Sequence, residues 1–313
     1  MGNEKKIKVS VIILTYNQEK YLEKSLPIIK NQISDFPFEI IAFVTESLDN
    51  TEKICRQYCS KIIKIKKDQF HHSKTRNLAV KESKGAFIVF LTGDAIPCDN
   101  LWLKNLISPM LESSDIVGVY SKQVPFENAP IWEKNDILIG CKNAELLKIR
   151  NFKIYTPKKK EITKYISFSN VSACYRKEIL EKYPFNEELT SCEDQEWCKR
   201  MLEKNFSIGF SSKSVVFHSH NYPLKKIIKR NFEFGKNFAK FLTKNELWVY
   251  KNFFILWSYI CYKILKDLLF LFQSKQKDKK LNWIIKIVIF RIIEKYSFYK
   301  GAHFTWKNLK KEK

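Results

Sequence analysis

The run 86–91 is apolar and delivers one carboxylate, Asp94, into a loop through Thr92 and Gly93. A lone carboxylate at a strand end suits a hard divalent cation shared with substrate phosphates. The plain alternative is a capping Asp before Pro97. Farther along, Glu193-Asp194 opens an amphipathic stretch (EDQEWCKRML), where any helix dipole favours carboxylates. His218-Ser219-His220 places two imidazoles two residues apart. On a strand they share a face, so both can reach one ligand. His71-His72-Ser73-Lys74-Thr75-Arg76-Asn77 sets an Arg beside a helix start, a group suited to a diphosphate or a carboxylate. Thr15-Tyr16-Asn17 follows an apolar run, and by itself reads as a turn with Asn17 as helix cap.

The elements that must position these groups are legible in the hydropathy. Runs 7–14, 38–45, 61–65 and 86–91 read as strands, separated by helical spacing over 18–32, from 49 onward and over 73–83. Asp49 and Glu52 suggest a capping box. Runs apolar on both faces that alternate with helices predict a parallel sheet covered on both sides. In such sheets ligands sit at the carboxyl ends of strands, which is where the polar groups above fall. Downstream, 101–112 and 193–204 read as helices, and 116–120, 166–175 and 215–220 as strands. Residues 121–165, with Pro125, Pro130 and Pro157, show no clear period and are expected to be a substrate-facing insertion.

The 313 residues carry 56 Lys+Arg against 33 Asp+Glu, a net +23. Residues 221–313 hold 22 Lys/Arg and 6 Asp/Glu, so +16 of the excess lies in the last third. An anionic partner is expected there. The apolar runs 252–262, 264–272 and 283–293 are interrupted by Lys263, Lys266, Asp267, Lys286 and Arg291, and are too short to span a bilayer. They predict interfacial helices at an anionic membrane surface, with a packing module as the plain alternative. Nucleic acid is not expected, because the aromatics sit inside apolar runs. The eight cysteines form no CxxC pair and read as reduced thiols of a cytosolic protein. The N-terminus lacks the features of a secretion signal, and Met1-Gly2 is a weak acylation match because Lys6 stands where Ser or Thr is wanted. A Gly-rich phosphate loop, a G-x-S-x-G elbow and an H-E-x-x-H helix are all missing, so hydride transfer, serine hydrolysis and zincin chemistry lose their usual support.

Taken in order, the pieces resemble glycosyltransferase family 2. VSVIILTYNQEKYLEKSL resembles the family's opening strand and helix. FHHSKTRNLAV followed by FIVFLTGDAIP is similar to a rhamnosyltransferase-like subgroup with an F-x-H-x-x-T-R-N segment and a T-x-D-A form of the metal motif. FSNVSACYRKEIL, CEDQEWCKRML and VVFHSHNY resemble the acceptor-side segment, the ED motif and the late histidine motif, and the likeness covers roughly residues 7–240.

The resemblance implies an α/β GT-A fold: a Rossmann-like, mostly parallel nucleotide-binding sheet over 1–240, followed by a helical region over 241–313. It implies a sugar transferase using a dTDP- or UDP-linked donor, rhamnose being one candidate, and a glycan or lipid-linked acceptor. Such an enzyme would work on cell-surface polysaccharide at the inner face of the membrane. Asp94, with His218 and His220, would hold Mg²⁺ or Mn²⁺. Thr15, Tyr16, Asn17, Glu46, Arg76, Asn77 and Gly93 would face the nucleotide-sugar. Asp194, paired with Glu193, would be the general base of an inverting displacement. Two positions depart from the pattern: Thr92 replaces the first Asp of the metal motif, and Val44 stands where an Asp contacts the base, with Glu46 nearby as a substitute. Those departures motivate a second class, a catalytically silent binding protein on the same fold. A nucleotidyltransferase or phosphohydrolase is a third class, disfavoured because only one carboxylate ends the fourth strand.

Overall fold

The structure, a computed structural model, describes residues 8–274 and 280–311. Residue 7, expected to open the first strand, and Met1-Gly2 lie outside that range. Strands β1 (Val9–Thr15), β2 (Phe38–Thr45), β3 (Lys61–Ile65) and β4 (Phe87–Thr92) alternate with helices α1 (Glu19–Lys30), α2 (Thr51–Tyr58) and α3 (His72–Glu82). Every residue of β1 is buried. Its alternate side chains enter two separate cores, Ile12 and Leu14 on one face and Val11 and Ile13 on the other. Burial on both faces is why the strand reads as a continuous apolar run.

The expected caps are arranged differently. Gln18, not Asn17, precedes α1, and Asn17 adopts φ 50° while its Oδ1 accepts from Leu48 N. Asn50 precedes α2, and the Asp49 carboxylate accepts from Thr51 N and also from Glu19 N at the start of α1. Glu52 is drawn outward by Arg56 and Lys64, so no capping box forms. These polar residues tie the β1 and β2 loops to each other.

Beyond β4 come β5 (Ile96–Pro97), α4 (Trp102–Glu112), β6 (Ile116–Val124), α5 (Ile131–Leu147), β7 (Ile149–Arg150), α6 (Ile162–Tyr165), β8 (Ser172–Arg176), α7 (Lys177–Lys182), α8 (Glu193–Glu203) and β9 (Ser207–Phe217). The sheet order is β3-β2-β1-β4-β8-β6-β9-β5, with β7 paired to β9. β8 is antiparallel to both β4 and β6, and β9 is parallel to β6. Hence β4, β6 and β9 all end at the same rim. Thr15 lies opposite Val44, and Leu14 opposite Thr92, so β1 and β2 end there too. β5 then pairs Ile96 with Phe217. That pairing brings the loop after β4 against the residues that follow β9.

The chain ends in α9 (Leu224–Phe241), α10 (Phe253–Gln273) and α11 (Lys280–Asn308). The expected boundary after residue 240 falls at the last turn of α9. Leu256, Ile260, Phe298 and Trp306 join the same apolar cluster as Ile12 and Phe90 of the sheet. α9 and α11 cross backbone to backbone: a Cβ on Gly235 would stand 2.0 Å from Phe298 O, and one on Gly301 2.0 Å from Phe232 O.

α10 is inverted relative to an ordinary surface helix. Its buried stripe is Leu256, Ile260, Lys263, Asp267 and Leu271. Phe254, Trp257, Tyr262, Leu265, Leu269 and Phe272 face outward. Inside, Arg291 of α11 pairs with Asp267, both fully buried, and with Asp136 of α5, which Lys263 also meets. Removing one partner of such a buried pair costs about 3–5 kcal/mol. Lys263, Asp267 and Arg291, three of the charges that interrupt the apolar runs, are therefore the internal fastening of α10 and α11, whereas Lys266 and Lys286 are exposed. None of the described helices is long and apolar enough to cross a membrane.

Candidate active site

At the common rim the first group to converge is Asp94, His218 and His220. Their ligand atoms all lie within 4.8 Å of one another. Asp94 Oδ1 is 3.7 Å from His218 Nε2, and Oδ2 is 3.7 Å from His220 Nδ1. Both gaps exceed a hydrogen bond. Donors that share one ion at about 2.1 Å stand roughly 3–4 Å apart, as here. Burial lowers the pKa of His218 against the pull of Asp94. Burial, then the neighbouring His218, holds His220 down to about 3. Both imidazoles are thus neutral and offer lone pairs. His218 Nδ1 lies 3.0 Å from Gln123 Oε1, which accepts its proton and leaves Nε2 facing Asp94. A carboxylate with two oriented imidazoles could hold a divalent cation, with further positions left for phosphate oxygens.

Gly93 explains the tight sequence around Asp94. A Cβ there would meet Gln18 Oε1 at 2.0 Å and Thr15 Oγ1 at 2.6 Å. Thr15 is buried, its hydroxyl on Gln18, so Thr15 and Gly93 shape the floor of the rim. Thr92 Oγ1 is buried with no hydrogen-bond partner. Tyr16 is exposed, with Lys67 Nζ 5.5 Å from its ring centre. Glu46 is exposed too, and its carboxylate accepts from Lys67 N. Tyr16, Asn17 and Glu46 therefore border one open edge between the β1 and β2 loops.

Asp194 reaches the same rim through the backbone. Thr92 N donates to Val171 O, and the adjacent Asn170 N donates to Asp194 Oδ2. Oδ1 accepts from Gln195 N. Burial, then the charge of Glu193, pushes the Asp194 carboxyl up to about 7, against those two N–H donors and Arg76. A carboxyl poised there can take a proton near neutrality.

Glu193 and Arg76 meet each other. Arg76 is buried, and its Nη1 meets Glu193 Oε1 at 2.7 Å. Asn170 Nδ2 donates to the same oxygen, and Tyr175 OH to Asn170 Oδ1. Burial works against the Glu193 charge, and Arg76 outweighs it, so its pKa lies below the ordinary value. Of the two ligands open to Arg76 from sequence, the carboxylate meets its Nη1, while the buried Nε has no hydrogen-bond partner. Asn77 likewise serves the scaffold: its amide donates to Phe185 O and accepts from Phe185 N.

Asn170 and Gln123 were not among the expected site residues. Asn170 lies inside FSNVSACYR, but nothing in its neighbours distinguishes an orienting amide from a turn residue.

Comparison with known proteins bears on the family and the fold. The model of "Glycosyl transferase family 2" matches residues 10–183. The O-antigen chain rhamnosyltransferase RfbN of Salmonella typhimurium is 29% identical over 232 residues, 73% of this chain and 72% of that protein. WbaN of Salmonella anatum, also an O-antigen chain rhamnosyltransferase, is 29% identical over 64% of this chain and 62% of its own length. Among solved structures, the mannosyltransferase PcManGT of Pyrobaculum calidifontis, in complex with GDP-Man and Mn²⁺, aligns over 96% of this chain and 87% of its own with a TM-score of 0.59 at 13% identity. Glucosyl-3-phosphoglycerate synthase of Mycobacterium tuberculosis aligns over 74% and 78% at 0.52 and 16% identity. The fold is GT-A, and the chain is a glycosyltransferase that belongs to family 2.

Proposed function

We propose that the chain transfers a sugar from a nucleotide-diphosphate donor to a glycan or lipid-linked acceptor in cell-surface polysaccharide synthesis. The observation that carries this reading is the meeting of Asp94, His218 and His220 at the rim to which Asn170 also ties Asp194. A dTDP- or UDP-linked deoxyhexose such as rhamnose is the favoured donor, supported by the likeness to two rhamnosyltransferases.

Tyr16, Asn17 and Glu46 border the nucleoside, and Thr15 and Gly93 set the floor beneath the donor. Asp94, His218 and His220 would hold Mg²⁺ or Mn²⁺, which when bound supplies Lewis-acid neutralisation of the departing diphosphate. Asp194 takes the proton of the acceptor hydroxyl as its oxygen attacks the anomeric carbon. Arg76 and Asn170 hold Glu193 in place, and the fixed Glu193 charge keeps the Asp194 carboxyl basic. A single in-line displacement inverts the anomeric centre.

The inverted α10 supports work at the cytosolic face of an anionic membrane. Its outward face is apolar, flanked by exposed Lys251, Lys266 and Lys286, as in helices that lie in a headgroup layer.

Incubation with a panel of nucleotide-sugars and Mn²⁺ tests the reading. Release of a nucleoside diphosphate from one donor is expected. Release of pyrophosphate would favour nucleotidyl transfer, and no release from any donor would favour the silent binding protein.

A further inference from the structure

Arg76, the cation expected from sequence beside the diphosphate, pairs through Nη1 with Glu193. Two others stand at the start of α9. Among the described residues, neither Lys226 nor Arg230 makes a side-chain hydrogen bond or an ion pair. Arg230 and His220 line one cavity of about 300 Å³ with Tyr222.

The pair is held in place by aromatic rings, and the Glu133 carboxylate shares the cavity with Arg230. Tyr222 stacks on His220, ring centres 4.4 Å apart. Lys226 Nζ lies 3.6 Å from the centre of the Tyr222 ring. The Arg230 guanidinium lies 5.5 Å from that ring and 4.8 Å from Phe234. Aromatic faces fix a guanidinium while its N–H edges stay free for a phosphate.

We propose that Lys226 and Arg230 clamp the diphosphate of the nucleotide-sugar, next to Asp94, His218 and His220. The inference rests on the sugar-transfer reading and adds positive charge beside the candidate metal group. A nucleoside diphosphate is strongly anionic, and a divalent cation held by Asp94 offsets only part of that charge. Position i and i+4 on α9 puts both on one face, so they can grip two phosphate oxygens together.

The test is titration calorimetry with Mn²⁺ and UDP, GDP or dTDP, each beside its monophosphate. In Arg230→Gln the diphosphate is expected to bind at least tenfold more weakly, and the monophosphate less than twofold. Lys226→Gln shifts the same way by a smaller factor. Arg230→Lys keeps diphosphate affinity within about threefold of wild type. Binding of Mn²⁺ alone stays unchanged in all three. Unchanged diphosphate affinity in Arg230→Gln, or an equal fall for both nucleotides, overturns the clamp and leaves the sugar-transfer reading standing. If no diphosphate binds the wild-type chain, that reading falls and the clamp with it.

Discussion

The carboxyl of Asp194 sets a measurable pH dependence. Burial and the adjacent Glu193 push it up to about 7. A general base works only when deprotonated, so activity is lost as the pH falls through that value. About 9% of the group is ionised at pH 6 and about 91% at pH 8, so kcat/KM rises about tenfold between them. An ordinary Asp would change by under about 1% over that span. His220, held down to about 3, contributes no step there. Nucleoside diphosphate release, followed at saturating Mn²⁺ from pH 5.5 to 8.5, reads the profile directly. Glu193→Gln removes the charge that raises Asp194 and frees Arg76 to lower it, so the acid limb moves to lower pH. Asp194→Asn abolishes transfer and leaves donor affinity within about twofold. Ionising a carboxyl whose pKa is raised by folding costs stability as the pH rises through 7, so this variant melts no lower than wild type at pH 8. A flat profile between pH 6 and 8, or an acid limb that Glu193→Gln leaves in place or moves upward, refutes the assignment of the base and of what tunes it.

Chelation removes transfer, and either Mg²⁺ or Mn²⁺ restores it; His218→Ala and His220→Ala each weaken Mn²⁺ binding, seen by electron paramagnetic resonance, and full turnover in excess chelator would contradict the metal site. Gly235→Ala and Gly301→Ala each push a Cβ into a facing carbonyl, so each lowers stability by about 1–3 kcal/mol or more in chemical denaturation, whereas Gly140→Ala, with open space around it, does not. The wild-type chain sediments with vesicles rich in phosphatidylglycerol and not with pure phosphatidylcholine; Phe254→Glu combined with Leu265→Glu, both outward-facing on α10, abolishes this without lowering the melting temperature, and unchanged sedimentation would refute the membrane face.

The β1–β4 half of the fold was legible because its physics is local. β1 and β4 are buried on both faces, so each shows as an apolar run wherever it sits in the chain. α5 was illegible for the opposite reason. Its seventeen residues fall in the stretch that shows no period, because buried positions include Asn135 while Leu138 and Ile139 face outward. The partner that satisfies Asn135 is Asp267, more than a hundred residues away. β9 showed only its end, since its middle reads GFSSKS, and the serines there are buried by hydrogen bonds to Asn105 O and Ser121 rather than by apolar contact.

The site divides along the same line. Asp94 and the histidines could be picked because each follows a strand whose apolar run announces its end, and parallel topology brings such ends to one rim, while Asp194 could be picked because it opens an amphipathic helix. Arg76 and Arg230 could not be sorted this way. In sequence each is a basic residue near the start of a helix, and nothing local says which will be consumed. The choice is made by a carboxylate 117 residues away, since Glu193 closes on Arg76, while α9 brings Arg230 to two aromatic faces and, among the described residues, into no ion pair, the Glu133 carboxylate standing across the same cavity. A buried guanidinium must find its partner within the protein, whereas a half-buried one beside a cluster of metal-ligating side chains can wait for a substrate. The same residue type therefore acts as scaffold at 76 and is left to recognise phosphate at 230.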